Sequence, residues 1–218
     1  MKVDGAGRVL PTISLDRDWF FQRRKARSAW LSGRGDAGER IDLPHCWNES
    51  ETFVDGRNYY QGHGSYRRRV ELPAEETLPE GRWMLESEVF YGLAEIWANG
   101  RRLATVDGQY LGFEIDVQAS LKAGAENLLG LRLSNKCPSW VLPGYKKDEP
   151  DFILHGGLAG GLHLHRRPFL EIDRRRVRLT PRDLLGAEPR VNVDFHVSNR
   201  AGMTRAVMTE WRLFDDRG

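Results

Sequence analysis

Apolar residues recur at every second position along much of this chain. In 190–199, Val191, Val193, Phe195 and Val197 face one way, and Asn192, Asp194, His196 and Ser198 the other. A period of two marks a half-buried strand. Ser65–Leu72 alternates similarly, with Tyr66, Arg68 and Val70 against Arg67, Arg69 and Glu71, until Pro73 stops it. Strands are also predicted over Trp19–Phe21, Trp83–Phe90, Ala94–Ala98, Arg102–Val106, Phe113–Val117, Asn127–Leu133, Leu162–Arg166, Phe169–Leu179 and Arg205–Asp215. Asn99-Gly100 falls between two of them. It is a strong hairpin signal, because both central residues of the favoured turn need positive φ. Asp107-Gly108 reads as a second turn, and Lys122–Glu126 as a third. No amphipathic helix longer than two turns is expected; 16–29 carries charge on every face.

Strands at short spacing without intervening helices predict an antiparallel sandwich or jelly roll. One stretch breaks the rhythm. Pro138–Gly161 has no clean period and is rich in Pro and Gly. Loops of that length inside a compact domain are usually functional or disordered. Pro168 reads as a boundary. Only about three strands are predicted after it, whereas an immunoglobulin-like sandwich needs about seven. The expectation is a chain that stops inside its second domain.

Composition narrows the function classes. The chain has 218 residues, with 33 basic and 31 acidic residues and a net charge of +2. Such a balance gives no large field for nucleic acid or membrane. The Arg runs 67–69 and 174–176 read as solvated strand faces rather than phosphate patches, because acidic residues are interleaved. No 18-residue apolar run spans a membrane, and no signal peptide is visible; a cytoplasmic location is favoured. Cys46 and Cys137 are too few for a disulfide scaffold or a four-thiolate zinc site.

Candidate chemistry is sparse. His163 and His165 share one strand face, but no third donor is signalled, so no metal and no cofactor is expected. No phosphate loop, dinucleotide fingerprint or Gly-x-Ser-x-Gly is present. Trp47, Tyr59, Tyr60, Tyr66, Tyr91, Trp97, Tyr110, Trp140 and Tyr145 lie near turns and strand ends. Aromatics beside amides and carboxylates suit a sugar, although each one alone is better explained as core.

Several segments together resemble the N-terminal region of glycoside hydrolase family 2. They are Leu43-Pro-His-Cys-Trp-Asn48, Arg57-Asn-Tyr59, Gly64-Ser-Tyr-Arg-Arg68, Glu95-Ile-Trp-Ala-Asn-Gly100, Gly108-Gln-Tyr-Leu-Gly-Phe-Glu-Ile-Asp116 and Gly157-Leu-Ala-Gly-Gly-Leu162. The resemblance covers nearly the whole chain. It implies an all-β fold: a galactose-binding-like jelly-roll sandwich over 1–169, then over 170–218 the first strands of an immunoglobulin-like sandwich. The subgroup is similar to β-glucuronidases and β-galactosidases. In those subgroups the Asp at the position of Asp151 reaches the sugar, so Asp151 is the one candidate substrate-binding residue. Cys46, Ala159 and Gly160 depart from the family pattern. Asn48-Glu49 mimics a catalytic Asn-Glu pair but lies in the jelly roll and is rejected. The family's two catalytic glutamates belong to a barrel that this chain lacks, so no catalytic residue is assigned.

The resemblance implies a non-catalytic portion of a retaining β-glycosidase in carbohydrate metabolism. It would contribute a sugar-contacting loop and support to the missing barrel, in a homo-oligomeric parent. Two rival readings stay open: a free-standing carbohydrate-binding module, and a sandwich used only for protein–protein docking.

Overall fold

The computed structural model describes residues 10–35, 38–51, 59–75, 80–108, 110–136 and 153–214. The chain divides into two compact units, Met1–Arg167 and Pro168–Gly218.

The first unit holds thirteen described strands. They are β1 (Thr12–Ser14), β2 (Trp19–Gln22), β3 (Glu39–Ile41), β4 (His45–Cys46), β5 (His63–Glu71), β6 (Arg82–Ser87), β7 (Phe90–Tyr91), β8 (Leu93–Ala98), β9 (Arg101–Asp107), β10 (Phe113–Asp116), β11 (Glu126–Ser134), β12 (Gly157–Leu158) and β13 (Leu162–Arg167). One short helix, α1, spans Ser28–Leu31. The strands form a four-stranded sheet ordered β1-β13-β6-β10 and a six-stranded sheet ordered β3-β2-β5-β11-β8-β9. A small third sheet is ordered β4-β12-β7. Every ladder is antiparallel.

Alternation explains why the two large sheets face each other. In β8, Ala94, Ile96 and Ala98 are buried while Leu93, Glu95 and Trp97 are not. In β11, Leu129, Leu131 and Leu133 turn inward. They meet Trp83 and Leu85 of β6, Leu162 and Leu164 of β13, and Phe113 of β10 in one core. Each fully buried leucine contributes about 1.5–3 kcal/mol of apolar transfer. This layered core makes the unit an antiparallel sandwich, as the period-two pattern predicts.

The Asn99-Gly100 turn forms as expected between β8 and β9. Asn99 has φ 49° and Gly100 φ 80°. The Asn99 side chain donates to the Ser120 carbonyl at 2.8 Å, and its oxygen accepts from Leu128 N at 3.0 Å.

Short α1 is held by tertiary contacts. The Arg67 guanidinium lies 4.5 Å over the Trp30 ring. It donates to the carbonyls of Trp30, Arg34 and Gly35 at 2.9, 3.0 and 3.2 Å. Arg67 is therefore buried, not solvated as the alternation of β5 predicts. Its neighbour Arg69 pairs with Glu126.

The second unit contains β14 (Leu170–Ile172), β15 (Arg178–Arg182), β16 (Arg190–Asp194) and β17 (Val197–Asn199). β14 pairs with β17, and β15 with β16. Three expected strands change here. Phe169–Leu179 is interrupted by a single 3-10 turn over Arg174–Arg176, where the Asp173 side chain accepts from Arg175 N at 3.1 Å. The run 190–199 is two strands with different partners, because the chain breaks at 195–196. Residues 205–214 form no strand; Trp211 instead packs on Phe195, with ring centroids 5.0 Å apart. Apolar alternation marks a potential face, but a ladder also needs a partner of matching register.

Candidate functional site

The small sheet β4-β12-β7 stands at the root of the segment 137–152. Its local geometry follows from Trp47. The Trp47 indole lies between the backbones of Gly64 and Gly156, where an added Cβ would approach it to 2.4 and 2.0 Å. Only glycine allows that closeness on both sides. Phe21 stacks beside the indole at 6.2 Å. The Trp47 backbone N–H donates to the Gly156 carbonyl at 2.9 Å, which fastens the end of β4 to the residue before β12.

Two buried asparagines fix the ends of the segment. Asn135, just before it, accepts from Gly62 N at 2.7 Å and donates to the carbonyls of Tyr60 and Leu154 at 3.0 and 2.8 Å. Asn48 donates to the same Leu154 carbonyl at 2.9 Å and accepts from Gly156 N at 3.0 Å. Leu154 N donates to the Tyr59 hydroxyl at 3.1 Å. Buried amides with both ends engaged are strong local organisers, since any unmade bond leaves a polar group dry. Asn48 therefore works as a backbone tie, which agrees with rejecting Asn48-Glu49 as a catalytic pair.

Around this root lies a cluster of rings. Tyr91 meets Tyr110 edge-on at 5.3 Å and His155 at 5.6 Å. The Cys46 thiol donates to Asn48 Oδ1 at 3.2 Å and lies 3.6 Å from His155 Nδ1. Of the nine aromatics singled out by sequence, Trp47 and Tyr66 are core. Trp97 packs under the Arg132 guanidinium at 5.6 Å. Tyr60 lies beneath Arg23 at 4.5 Å. Tyr59, Tyr91 and Tyr110 stay at the loop root. Trp140 and Tyr145 lie outside the described residues, as do Cys137 and the candidate sugar contact Asp151.

The electrostatics favour neutral rings here. Burial holds His45 below the ordinary histidine range, only partly opposed by Glu39 and Glu49. The Tyr66 hydroxyl, 2.9 Å from His45 Nδ1, is pushed far above the usual phenol range by burial. Burial also raises Tyr91. His63 is lowered by burial and by the charges of Lys25, Arg132 and Lys136. At the rim, Glu51 is held below its ordinary value, first by the Tyr60 N–H and then by Arg23.

His163 and His165 share an outer face of β13, as expected, but do not act as a pair. His163 Nε2 lies 4.0 Å from Asp16. His165 sits between Glu86 and Glu114. These two carboxylates come from β6 and β10, so no local spacing could have signalled them. Of the two Arg runs, the first has Arg67 buried, Arg68 half-buried and Arg69 exposed, and in the second Arg176 pairs with Asp173 at 3.5 Å. No helix among the described residues is long and apolar enough to cross a membrane.

Comparison with known proteins bears on this architecture. No family model matches the chain. It is 27% identical over 174 residues to a β-glucuronidase of Formosa agariphila, covering 74% of this chain and 17% of that protein. It is 25% identical over 131 residues to a β-glucuronidase of Bacteroides fragilis, covering 60% of this chain and 18% of that one. The chain matches the N-terminal region of glycoside hydrolase family 2 enzymes. The crystal structure of a Bacteroides uniformis β-glucuronidase superimposes with a TM-score of 0.67 at 21% identity, over 79% of this chain and 20% of that chain. A family 2 member from Bacteroides cellulosilyticus superimposes with a TM-score of 0.68 at 22% identity, over 89% of this chain and 25% of that chain. At these identities the structural likeness establishes the fold. The chain spans less than a fifth of the length of the curated relatives it matches.

Proposed function

We propose that this chain is the non-catalytic N-terminal portion of a retaining β-glycosidase of the β-glucuronidase type. The first unit, with a boundary near residue 169, is the sugar-binding-type jelly roll. The second unit begins an immunoglobulin-like sandwich, a reading supported by the exposure of Leu179, Leu185, Met208 and Leu213. The parent would cleave a β-glycosidic bond by double displacement between two barrel glutamates that this chain lacks. The chain's own part is to present the 137–152 segment, with Asp151 accepting hydrogen bonds from sugar hydroxyls. Hydrogen bonds to a charged acceptor are the stronger kind.

The observation that carries this reading is the double tie of Asn48 and Asn135 to Leu154. It fastens the Leu154 backbone, three residues along the chain from Asp151, to side chains that follow β4 and β11. A loop meant to place a carboxylate against a ligand needs a preorganised root.

Two measurements test it. The purified chain should not turn over a chromogenic β-glucuronide or β-galactoside; turnover proportional to its concentration refutes the non-catalytic reading. In a full-length parent, Asp151→Ala should lower kcat/KM at least tenfold without changing the unfolding midpoint. Unchanged kinetics would leave docking as the better account. Micromolar binding of glucuronate or galactose by the isolated chain would favour a free-standing carbohydrate-binding module.

A further inference from the structure

We infer that the outer face of the four-stranded sheet carries a binding site for one first-row divalent metal ion, with His165 and Glu86 as direct ligands and Glu114 as a positioning residue.

The face is built by alternation. Trp83 and Leu85 of β6, Leu162 and Leu164 of β13, and Phe113 of β10 point into the core. Glu86, His165 and Glu114 consequently project from the opposite face of the same three strands. Register brings them together. Glu114 stands directly across from Glu86 in the β10–β6 ladder, and His165 is diagonal to Glu86 in the β13–β6 ladder. Glu86, Glu114 and His165 each offer one ligand atom, and these atoms lie within 4.8 Å of one another.

The imidazole points to a cation. The His165 side chain is only 2% exposed, although it lies on an outer face. Its Nε2 is 3.1 Å from Glu114 Oε1. Assigning the proton to Nε2 satisfies that contact and leaves the Nδ1 lone pair available. Nδ1 is buried and has no hydrogen-bond partner among the described residues. It faces Glu86 Oε2 at 3.3 Å. A buried ring nitrogen without a hydrogen bond is costly, and a metal ion between it and a carboxylate removes that cost. A ligating histidine whose other N–H goes to a carboxylate is the common arrangement in metal sites, because it fixes the tautomer and orients the ring.

Arg167 donates to Glu114 Oε2 at 2.6 Å, which holds that carboxylate in place beside the ring.

The donor set selects the ion. One imidazole nitrogen and one carboxylate, with the remaining positions open to water, suit zinc or another first-row metal. Calcium prefers six to eight oxygen ligands, which this face does not offer.

The test uses the 218-residue chain, stripped with a chelator and dialysed. Zn²⁺, Mn²⁺ and Ca²⁺ are added separately while thermal unfolding is followed, and bound zinc is counted after gel filtration. The expected result is one retained zinc per chain and a saturable rise of the unfolding midpoint. Glu86→Gln should weaken zinc binding at least tenfold, and Glu114→Gln by about 10–100-fold, the usual range for outer partners. His163→Gln should leave it unchanged. Because Glu86 is partly exposed, its variant decides the matter even if His165→Gln fails to fold. No zinc-dependent shift overturns the proposal and leaves His165 as an imidazolium bridging two carboxylates. A shift of equal size in Glu86→Gln, or equal stabilisation by calcium, overturns it as well.

Discussion

The side-chain amides of Asn48 and Asn135 both donate to one acceptor, the carbonyl oxygen of Leu154, at 2.9 and 2.8 Å. One asparagine follows β4 and the other follows β11. Together they bring two distant parts of the chain onto one residue, three positions before β12.

Removing either asparagine should therefore destabilise the first unit. Asn135→Ala leaves Gly62 N and the Tyr60 carbonyl without their side-chain partner, at about 1–3 kcal/mol for each buried polar group left dry. Asn48→Ala does the same to Gly156 N. The double variant should cost more than the sum, because only then does the Leu154 carbonyl lose both donors. Urea unfolding of the two single variants and the double variant checks this; strict additivity would show that the ties act independently.

Gly156→Ala should be among the more damaging small substitutions. Its Cβ would lie 2.0 Å from the Trp47 indole, so the ring or the backbone must shift. Overpacking of this kind costs about 1–3 kcal/mol or more. The midpoint in urea should fall, while Gly35→Ala, with open space around its Cβ position, reports only the strain of its φ of 79°. Equal losses at the two sites would refute the close-packing argument.

Arg67→Lys should not rescue Arg67→Ala. The guanidinium serves three carbonyls and lies over the Trp30 ring. An ammonium cannot reproduce that fork. Each variant should lose about 2–4 kcal/mol, given roughly 1.5–3 kcal/mol per charged hydrogen bond partly recovered by water. Hydrogen exchange at α1 amides should rise in both; protection retained in the lysine variant would contradict this.

Stability should fall as pH drops from 7 toward 5. His45 and His63 are both held below the ordinary histidine range, burial being the main cause in each. Below the unfolded value of about 6.5 the unfolded chain binds protons that the folded chain resists, so unfolding becomes easier. Further acid should add a second loss. Burial alone would raise Asp16, but the Leu162 N–H, the Ser14 hydroxyl and the charges of His163 and Arg68 outweigh it. With Asp16 and Glu51 both lowered, the stabilisation they give is present above the ordinary carboxylate range. It is lost as pH falls through their folded values. Urea midpoints between pH 8 and pH 3 test the sign; a maximum near pH 5 would refute it.

Much of the fold was legible in the residues. Asn99-Gly100 is a turn because both residues tolerate positive φ, a local property. Ala94, Ile96 and Ala98 turn inward because a strand alternates, which is local too. The expected strands of the first unit form with ends shifted by a few residues, except Trp83–Phe90, which splits at 88–89 into β6 and β7 of different sheets. The short strands β1, β3, β4, β7 and β12 were not legible. Two or three residues carry too little pattern, and each exists only because a partner strand lies beside it.

The site divides along the same line. Asn48 reads in sequence as half of an Asn-Glu pair. Only the fold shows that its amide is spent on Leu154 and Gly156. His165 reads as one of two like histidines on a strand face. Its carboxylate neighbours Glu86 and Glu114 lie on other strands, set by register across the sheet. Likewise Arg67 alternates toward solvent until α1 folds over it.

By itself, then, the sequence determined what is periodic or local: an all-β chain, its main strands and its Asn-Gly turn. Tertiary structure decided which side chains meet. The physical reason is range. Dihedral preference and alternation act over a few residues, whereas hydrogen bonds and ion pairs form between atoms about 3 Å apart that the chain can separate by a hundred positions.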